Sequence, residues 1–202
     1  MKYIFVILYS IWTCFGANAQ TRQIKIYPLK TFQTIDHFAA SDAWSGNYVG
    51  QYWDLTQKEQ VAKWLFSQNM DGTGNPVGIG LSSWRVNLGA GSLDQDSAAI
   101  VPIQRRTESF LTNDGKSYDW GKCSGQQYFM QKAAEYGCND FLLFSNSPPL
   151  PFTVNERGWP PFTGNANIRP EGYELFAKYM ADVAKYFIVV KGWNIRFISP
   201  IN

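Results

Sequence analysis

Charged residues are scarce in this 202-residue sequence: Asp, Glu, Lys and Arg make up 17% of it, against about 25% in typical globular proteins. The formal net charge is only +2. The chain therefore lacks the strongly basic surface that binds the nucleic-acid backbone, and we expect no nucleic-acid partner. A hydrophobic fraction of 45% excludes a disordered tail and a fibrous repeat. The length favours one domain with a core of ordinary size.

Histidine and cysteine, which often bind metals, are scarce as well. His37 is the single histidine, and neither Cys123 nor Cys138 has a histidine or cysteine nearby in the sequence, so we predict no metal site and no cofactor. The two cysteines flank one predicted helix. Over 15 residues a helix rises by roughly 22 Å, far beyond the ~7 Å reach of a disulfide. We therefore predict two free, semi-buried thiols.

The sequence also lacks a recognisable set of catalytic groups. A serine nucleophile needs a base, but His37 has no Gly-x-Ser-x-Gly turn to accompany it. The glycine-rich segments 72–80 and 89–91 do not lead from a strand into a helix, which argues against a nucleotide-binding α/β protein. Asp42 directly follows a predicted strand, and Glu156 is interpreted as a surface residue. The residues alone thus supply one well-placed carboxylate, and not the pair that acid–base catalysis requires.

Residues 1–19 have the pattern of an export signal. Lys2 precedes an apolar run over residues 3–15, and small residues at the end of the segment form a cleavage site. The run is too short to span a bilayer core of about 30 Å, so we predict no transmembrane segment. A lipoprotein anchor at Cys14 is the alternative, disfavoured by the bulky residues before it. We expect a monomer that is secreted or held in the periplasm or at the cell surface.

Apolar patterns predict strands and helices in alternation. The stretch Gln23–Tyr27 alternates polar and apolar residues and is typical of a half-exposed strand. Further on, strands over residues 35–41, 81–88, 141–144 and 195–198 alternate with helices over residues 56–69, 124–137 and 170–192. Thr56 and Glu59 are expected to cap the first helix, and Pro170 to begin the third. This order predicts an α/β protein with a parallel sheet, either open and doubly wound or closed as an eight-stranded barrel.

Long connections follow two of these strands, over residues 89–122 and 145–169, where such folds place their active sites. Flat aromatic rings suit the C–H faces of sugars, while amides, carboxylates and guanidinium groups suit the hydroxyl groups. We therefore predict a saccharide-binding site at the strand ends, formed by Asp42, Trp44, Arg85, Asn146 and Asn202. For each residue taken alone, the sequence is equally compatible with a structural role: Trp44 could pack in the core, and Arg85 could neutralise a buried acid.

Five segments, in order, resemble glycoside hydrolase family 30 and its endo-β-1,6-galactanase-like branch. Residues 35–45 (Ile-Asp-His-Phe-Ala-Ala-Ser-Asp-Ala-Trp-Ser) are similar to the opening barrel strand of that family, and residues 84–89 (Trp-Arg-Val-Asn-Leu-Gly) to its second strand. Residues 125–137 match the helix before the third strand, and residues 144–149 contain the Ser-Asn-Ser-Pro-Pro run of that branch. Residues 198–202 (Ile-Ser-Pro-Ile-Asn) look like the fourth strand.

The resemblance implies a (β/α)8 TIM barrel joined to a β-sandwich side domain. Residues 20–34 would supply a strand of the side domain, and residues 35–202 the first half of the barrel. Family members hydrolyse β-glycosides with retention, using two glutamates about 5–5.5 Å apart at the ends of the fourth and seventh strands. Asn202 matches the asparagine that precedes the acid/base glutamate. No catalytic residue is thus assigned within the sequence, and the chain alone is expected to be inactive.

The substrate that the resemblance implies is a polysaccharide or glycoconjugate with β-linked sugars. An endo-β-1,6-galactanase-like activity is the first expectation. Glucosylceramidase-, β-1,6-glucanase- and xylanase-like activities of the same family are alternatives. A carbohydrate-binding module without catalysis is a further alternative of a different class.

Overall fold

The computed structural model describes residues 23–89, 92–95, 101–161, 164 and 166–200. It separates into two compact units, Met1–Ile35 and Asp36–Asn202. In the first unit, residues 23–35 contain neither strand nor helix, and the side chains of Ile24 and Ile26 are exposed. The strand predicted over residues 23–27 is therefore not formed. A strand is stabilised by the backbone groups of a neighbouring strand, and residues 23–35 supply none.

The second unit is built on a parallel sheet of four strands. Strand β1 is Ala39–Ser41, β2 is Ser83–Asn87, β3 is Asp140–Phe144 and β4 is Asn194–Ser199. Their spatial order is β1-β2-β3-β4, and every neighbouring pair is parallel. The predicted α/β alternation is confirmed. A doubly wound sheet reverses its order part-way along the chain, whereas consecutive order is that of successive barrel strands, so the topology favours the barrel.

Four α-helices accompany the strands: α1 is Gly46–Tyr52, α2 is Leu55–Phe66, α3 is Ser124–Glu135 and α4 is Gly172–Val189. Helix α1 is absent from the sequence prediction. Asp54, not the predicted pair Thr56 and Glu59, caps α2, because its carboxylate accepts the Gln57 N–H at 3.0 Å. Helix α4 begins later than the predicted start at Pro170. Over the described ranges, none of the helices combines the length and the apolar character needed to cross a bilayer.

The main hydrophobic core lies between the sheet and helices α2, α3 and α4. Side chains that point to the helices alternate along β2 and β3 with side chains that point away from them. The first set comprises Trp84, Val86, Phe141 and Leu143, which pack with Phe66, Phe129 and Val183 from the helices. The ring of Phe66 meets Trp84 edge-on, with 5.2 Å between centroids. Each such side chain contributes about 1.5–3 kcal/mol by burial, so the core holds the strand ends in place.

Two cysteines contribute to this core at the ends of α3. Cys123 and Cys138 are both free and buried, which confirms the prediction of free thiols. Burial raises the pKa of both thiol groups above the usual range, so both stay protonated near neutral pH.

Buried polar contacts hold the long loop after β2 against the end of that strand. The Asn87 amide donates to Thr107 Oγ1 at 3.2 Å, and Lys122 Nζ lies 2.6 Å from Asp94 Oδ1. Gly89 has a φ of 86°, and a Cβ added there would lie 1.4 Å from the Glu108 carbonyl oxygen. Only glycine therefore allows the loop to pass so close to the strand end.

Candidate functional site

Asp42 follows β1 at the carboxyl-terminal edge of the sheet, as predicted, but its carboxylate is enclosed. Its side chain is 5% exposed. Oδ1 accepts the Asn87 N–H at 3.0 Å, and Oδ2 accepts Nε2 of Gln126 at 2.6 Å. Its own N–H donates to the Arg85 carbonyl at 2.9 Å. Asp42 thus connects the ends of β1 and β2 with α3, and both carboxylate oxygens are engaged.

Burial controls the protonation of Asp42. Loss of solvation raises the pKa of the Asp42 carboxyl from 3.8 to about 7, against the lowering effects of its hydrogen bonds with Gln126 and Asn87 and of the Arg85 charge. A carboxylate in a low-dielectric environment needs those partners to remain ionised. The pKa of the Asp42 carboxyl is thus raised toward neutral pH, and its hydrogen bonds suit it to positioning its neighbours.

Gln126 is the partner that sequence reasoning missed. It lies on α3, is 2% exposed, and its Nε2 donates both to Asp42 and to the Asn87 carbonyl, the latter at 2.5 Å. Its Oε1 is buried and has no hydrogen-bond partner in the described part of the chain. The sequence contains a signal for this buried contact, since residue 126 shares one helical face with the apolar residues Phe129, Met130 and Ala133. A polar side chain in such an apolar stripe indicates a buried hydrogen bond.

Helix α3 can place Gln126 here because it approaches α1 closely. A Cβ at Gly125 would lie 1.9 Å from the Asn47 carbonyl oxygen, and one at Gly50 would lie 2.3 Å from the Gly125 carbonyl oxygen. The Asn47 side chain also accepts the Gly125 N–H at 3.2 Å. Two facing glycines thus bring the backbones of α1 and α3 into contact.

Arg85 lies on the face of β2 that points away from the helices, together with Asn87. Its guanidinium carbon is 3.4 Å from the ring centroid of Phe144. Phe144 pairs with Asn87, one level nearer the carboxyl ends than the Arg85–Leu142 pair. Arg85 therefore extends along this face of the sheet toward the predicted site at the strand carboxyl ends. It is stacked on an aromatic ring, which orients its N–H groups.

Trp44 and Asn146 occupy two different places. Trp44 is 45% exposed, so it is not a core residue, and the Arg105 guanidinium lies 4.6 Å from its ring centroid. Asp42 and Trp44 line one cavity of about 300 Å³. Asn146 lines another, of about 540 Å³, with Tyr173 on α4. Asn202 lies outside the described residues.

His37 lies at the opposite, amino-terminal end of the sheet. Its Nε2 is 2.9 Å from the carboxylate of Asp140, the first residue of β3, and Arg196 Nη1 lies 3.1 Å from the same oxygen. The histidine therefore cannot serve a site at the strand carboxyl ends. In the ranges that the structure covers, no group of three or more His, Cys, Asp or Glu side chains could hold a metal ion.

Comparison with known proteins points to carbohydrate-active enzymes. A family model described as O-Glycosyl hydrolase family 30 matches residues 21–202. An endo-beta-1,6-galactanase from Hypocrea rufa is 28% identical and aligns with 84% of the chain and 38% of that protein. A solved structure, a conserved exported protein from Bacteroides fragilis, is 39% identical with a TM-score of 0.79 and covers 88% of this chain and 36% of that one.

A more distant solved structure shares the same fold. It is the catalytic domain of GH30 xylanase C from Talaromyces cellulolyticus, with 23% identity and a TM-score of 0.54, and it covers 85% of this chain. The alignment covers 37% of the xylanase chain. The present chain thus spans little more than a third of the length of each protein that it matches.

Proposed function

The chain belongs to O-glycosyl hydrolase family 30, and we propose that this protein is an exported enzyme that hydrolyses β-linked glycans with retention of configuration. The observation that carries the proposal is the arrangement at the carboxyl ends of β1 and β2. Asp42, Asn87 and Gln126 form one buried hydrogen-bonded group, and Arg85 stacks beside it on Phe144. Trp44, which follows β1, is 45% exposed. A fixed polar group with adjacent hydrogen-bond donors and a nearby exposed ring suits the binding of a sugar.

We propose β-1,6-galactan as the preferred substrate. The support is the 28% identical relative, an endo-beta-1,6-galactanase, and the Ser-Asn-Ser-Pro-Pro run at residues 145–149. The likeness to the xylanase, at 23% identity, supports the fold alone. Xylanase-like and β-1,6-glucanase-like activities are therefore the alternatives that the assay below must separate.

The proposed roles of the chain's residues are in binding. Arg85 would donate hydrogen bonds to sugar hydroxyl groups, and Trp44 would stack on a C–H face of the sugar. Asn146 and Asn202 would each contribute a side-chain amide that hydrogen-bonds to the sugar. Asp42 would position Asn87 and Arg85, since both of its oxygens are engaged.

Retention requires two carboxyl groups about 5–5.5 Å apart, one as acid/base and one as nucleophile. Among the described acids, we propose none for either role. Asp42 is enclosed, and Asp140 lies at the amino-terminal end of the sheet, in contact with His37 and Arg196.

Export is proposed from two observations. Residues 1–19, which lie outside the described ranges, have the pattern of a signal peptide. The 39% identical relative is named a conserved exported protein. We further propose that residues 20–34 pair with a β side domain, which would cover the exposed Ile24 and Ile26.

The test is hydrolysis by the purified natural protein that contains these 202 residues, with β-1,6-galactan, β-1,6-glucan and xylan as parallel substrates and reducing-sugar release as the readout. Preferential release from β-1,6-galactan is expected. Preference for glucan or xylan would overturn the substrate assignment and keep the reaction class. Binding of a glycan without hydrolysis of any would identify a carbohydrate-binding module and overturn the proposed activity.

A further inference from the structure

We propose that a cavity between the two long loops is a distal sugar subsite, which binds a neutral sugar residue of the glycan away from the bond that is cleaved. The cavity, called here the loop cavity, lies between residues 94–114 and residues 150–169 and has a volume of about 620 Å³. Sites for small ligands typically measure about 300–1,000 Å³. The identity of the glycan rests on the proposed function, whereas the cavity and its polar lining do not.

The loop cavity lies at the carboxyl-terminal edge of the sheet, because its described lining residues belong to the loops that follow β2 and β3. Asp94, in its wall, accepts the Ser109 N–H at 2.9 Å. Thr107, two residues before Ser109, accepts the side-chain amide of Asn87 at the end of β2. The wall of the cavity is therefore joined through this loop to the predicted sugar site.

The lining contains hydrogen-bond donors that the described part of the protein does not use. Gln95 is 8% exposed, and its Oε1 accepts the Gly158 N–H at 2.8 Å, but its buried Nε2 has no hydrogen-bond partner among the described residues. A buried donor without an acceptor is destabilising. Arg157 and Arg169, which are half-buried in the same lining, form no ion pair with an acid in the described ranges. A ligand with acceptor oxygens would satisfy these groups.

The charges of the described lining residues are balanced, which favours a neutral ligand. Asp114 and Glu156 offset the two arginines, and the third acid, Asp94, is paired with Lys122, whose Nζ lies 2.6 Å from Oδ1. A charged ligand of either sign would meet like charges in this lining. Sugar hydroxyl groups both donate and accept hydrogen bonds, so they match a lining of carboxylates, guanidinium groups and amides.

The experiment measures how the effect of Arg169→Gln depends on substrate length, in the natural protein that contains these 202 residues. Values of kcat/KM are determined on β-1,6-linked galacto-oligosaccharides, from the shortest that is hydrolysed to long ones, and affinity for β-1,6-galactan is measured by affinity gel electrophoresis. Gln95→Glu is a second variant, which keeps an acceptor for the Gly158 N–H and removes the donor. Lys185→Gln, at an exposed position of α4, is the matched control. Thermal unfolding checks that every variant retains the fold.

We expect Arg169→Gln and Gln95→Glu each to lower kcat/KM about tenfold on long oligosaccharides, mainly through KM, because each removes a hydrogen bond to a distal sugar. Hydrolysis of the shortest substrate should stay unchanged, as should all values of Lys185→Gln. Unchanged values of Arg169→Gln on long substrates would overturn the distal subsite. Equal losses on short and long substrates would overturn it as well.

A matched pair of polymers tests the neutral character of the ligand. A β-1,6-galactan that carries uronate residues and the same polymer after reduction of its carboxyl groups should bind with equal affinity. Tighter binding of the acidic form, lost in Arg169→Gln, would assign the loop cavity to an anion and overturn the proposal. If the protein hydrolyses no glycan, the proposed function fails, whereas a loss of galactan affinity in Arg169→Gln would still support a sugar site in the loop cavity.

Discussion

The side-chain amide of Gln126 donates to the carboxylate of Asp42 at 2.6 Å, across 84 positions of sequence. The same nitrogen reaches the Asn87 carbonyl, so one side chain of α3 connects the ends of two adjacent strands. The strand ends carry the residues that we propose for sugar binding. Their geometry therefore depends on a polar contact on the helix side of the sheet.

Removal of the Gln126 amide should destabilise the protein. Gln126→Ala leaves Oδ2 of Asp42 buried without that partner, and we expect a cost of about 1–3 kcal/mol in the free energy of unfolding. Urea denaturation at pH 7 measures it. Gln131→Ala, at an exposed position of the same helix, is the control and should change stability by less than about 0.5 kcal/mol. Equal effects of the two substitutions would show that the Gln126 contact does not contribute to the free energy of unfolding.

The raised pKa of Asp42 predicts a pH dependence of stability. The folded carboxyl holds its proton more tightly than the unfolded one between pH 3.8 and about 7. The folded state then binds more protons, and the free energy of unfolding falls as pH rises through this window. Asp42→Asn removes this titration. The free energy of unfolding of the variant, relative to that of the unaltered protein, should therefore rise from pH 4 to pH 7 by a few kcal/mol, at roughly 1.4 kcal/mol per pH unit. Urea denaturation across this range tests it; a constant difference would contradict a raised pKa.

The close contact of α1 with α3 predicts a strong effect of one added methyl group. Gly125→Ala would place a Cβ 1.9 Å from the Asn47 carbonyl oxygen, so the helices must separate, at a cost of about 1–3 kcal/mol. Gly72→Ala is a matched control, because nothing lies within 4 Å of a Cβ there. Thermal unfolding of both variants should show a lowered midpoint for the first alone. Similar midpoints would mean that the two helices tolerate separation.

Arg85 should contribute to substrate binding through its planar group. Arg85→Lys keeps the charge but loses the stacked guanidinium on Phe144, and we expect the affinity for β-1,6-galactan to fall about tenfold. Lys185→Ala removes a charge at an exposed position of α4 and should leave binding unchanged. The measurement is affinity gel electrophoresis. Full affinity in Arg85→Lys would show that the planar guanidinium group is not required for binding.

The strands of the sheet could be predicted because their sequences carry the burial pattern. Phe141–Phe144 is a continuous apolar run, typical of a strand buried in a parallel sheet, and the structure places β3 there. Helix α1 could not be predicted in this way. It contains Gly46 and Gly50, which disfavour a helix, and it is stabilised by backbone contact with Gly125 in α3. That contact depends on tertiary structure.

Only part of the candidate site could be predicted from the sequence, because some of its contacts depend on tertiary structure. The positions of Asp42 and Arg85 at strand ends follow from strand boundaries, which sequence patterns reveal. The engagement of both Asp42 oxygens does not, because their partners, Asn87 and Gln126, lie 45 and 84 residues away. For the same reason residues 23–27 have a strand pattern without forming a strand, since pairing depends on a neighbour that local sequence does not specify.

The central claim is that this protein hydrolyses β-1,6-galactan with retention of configuration. Proton NMR of the first sugar that the natural protein containing these 202 residues releases from β-1,6-galactan tests this claim most directly. Hydrolysis with retention releases the β anomer first, which then mutarotates to the equilibrium mixture, and this is the result that we predict. Initial release of the α anomer, or intact polymer after prolonged incubation, would contradict the assignment of this protein as a retaining hydrolase of β-1,6-galactan.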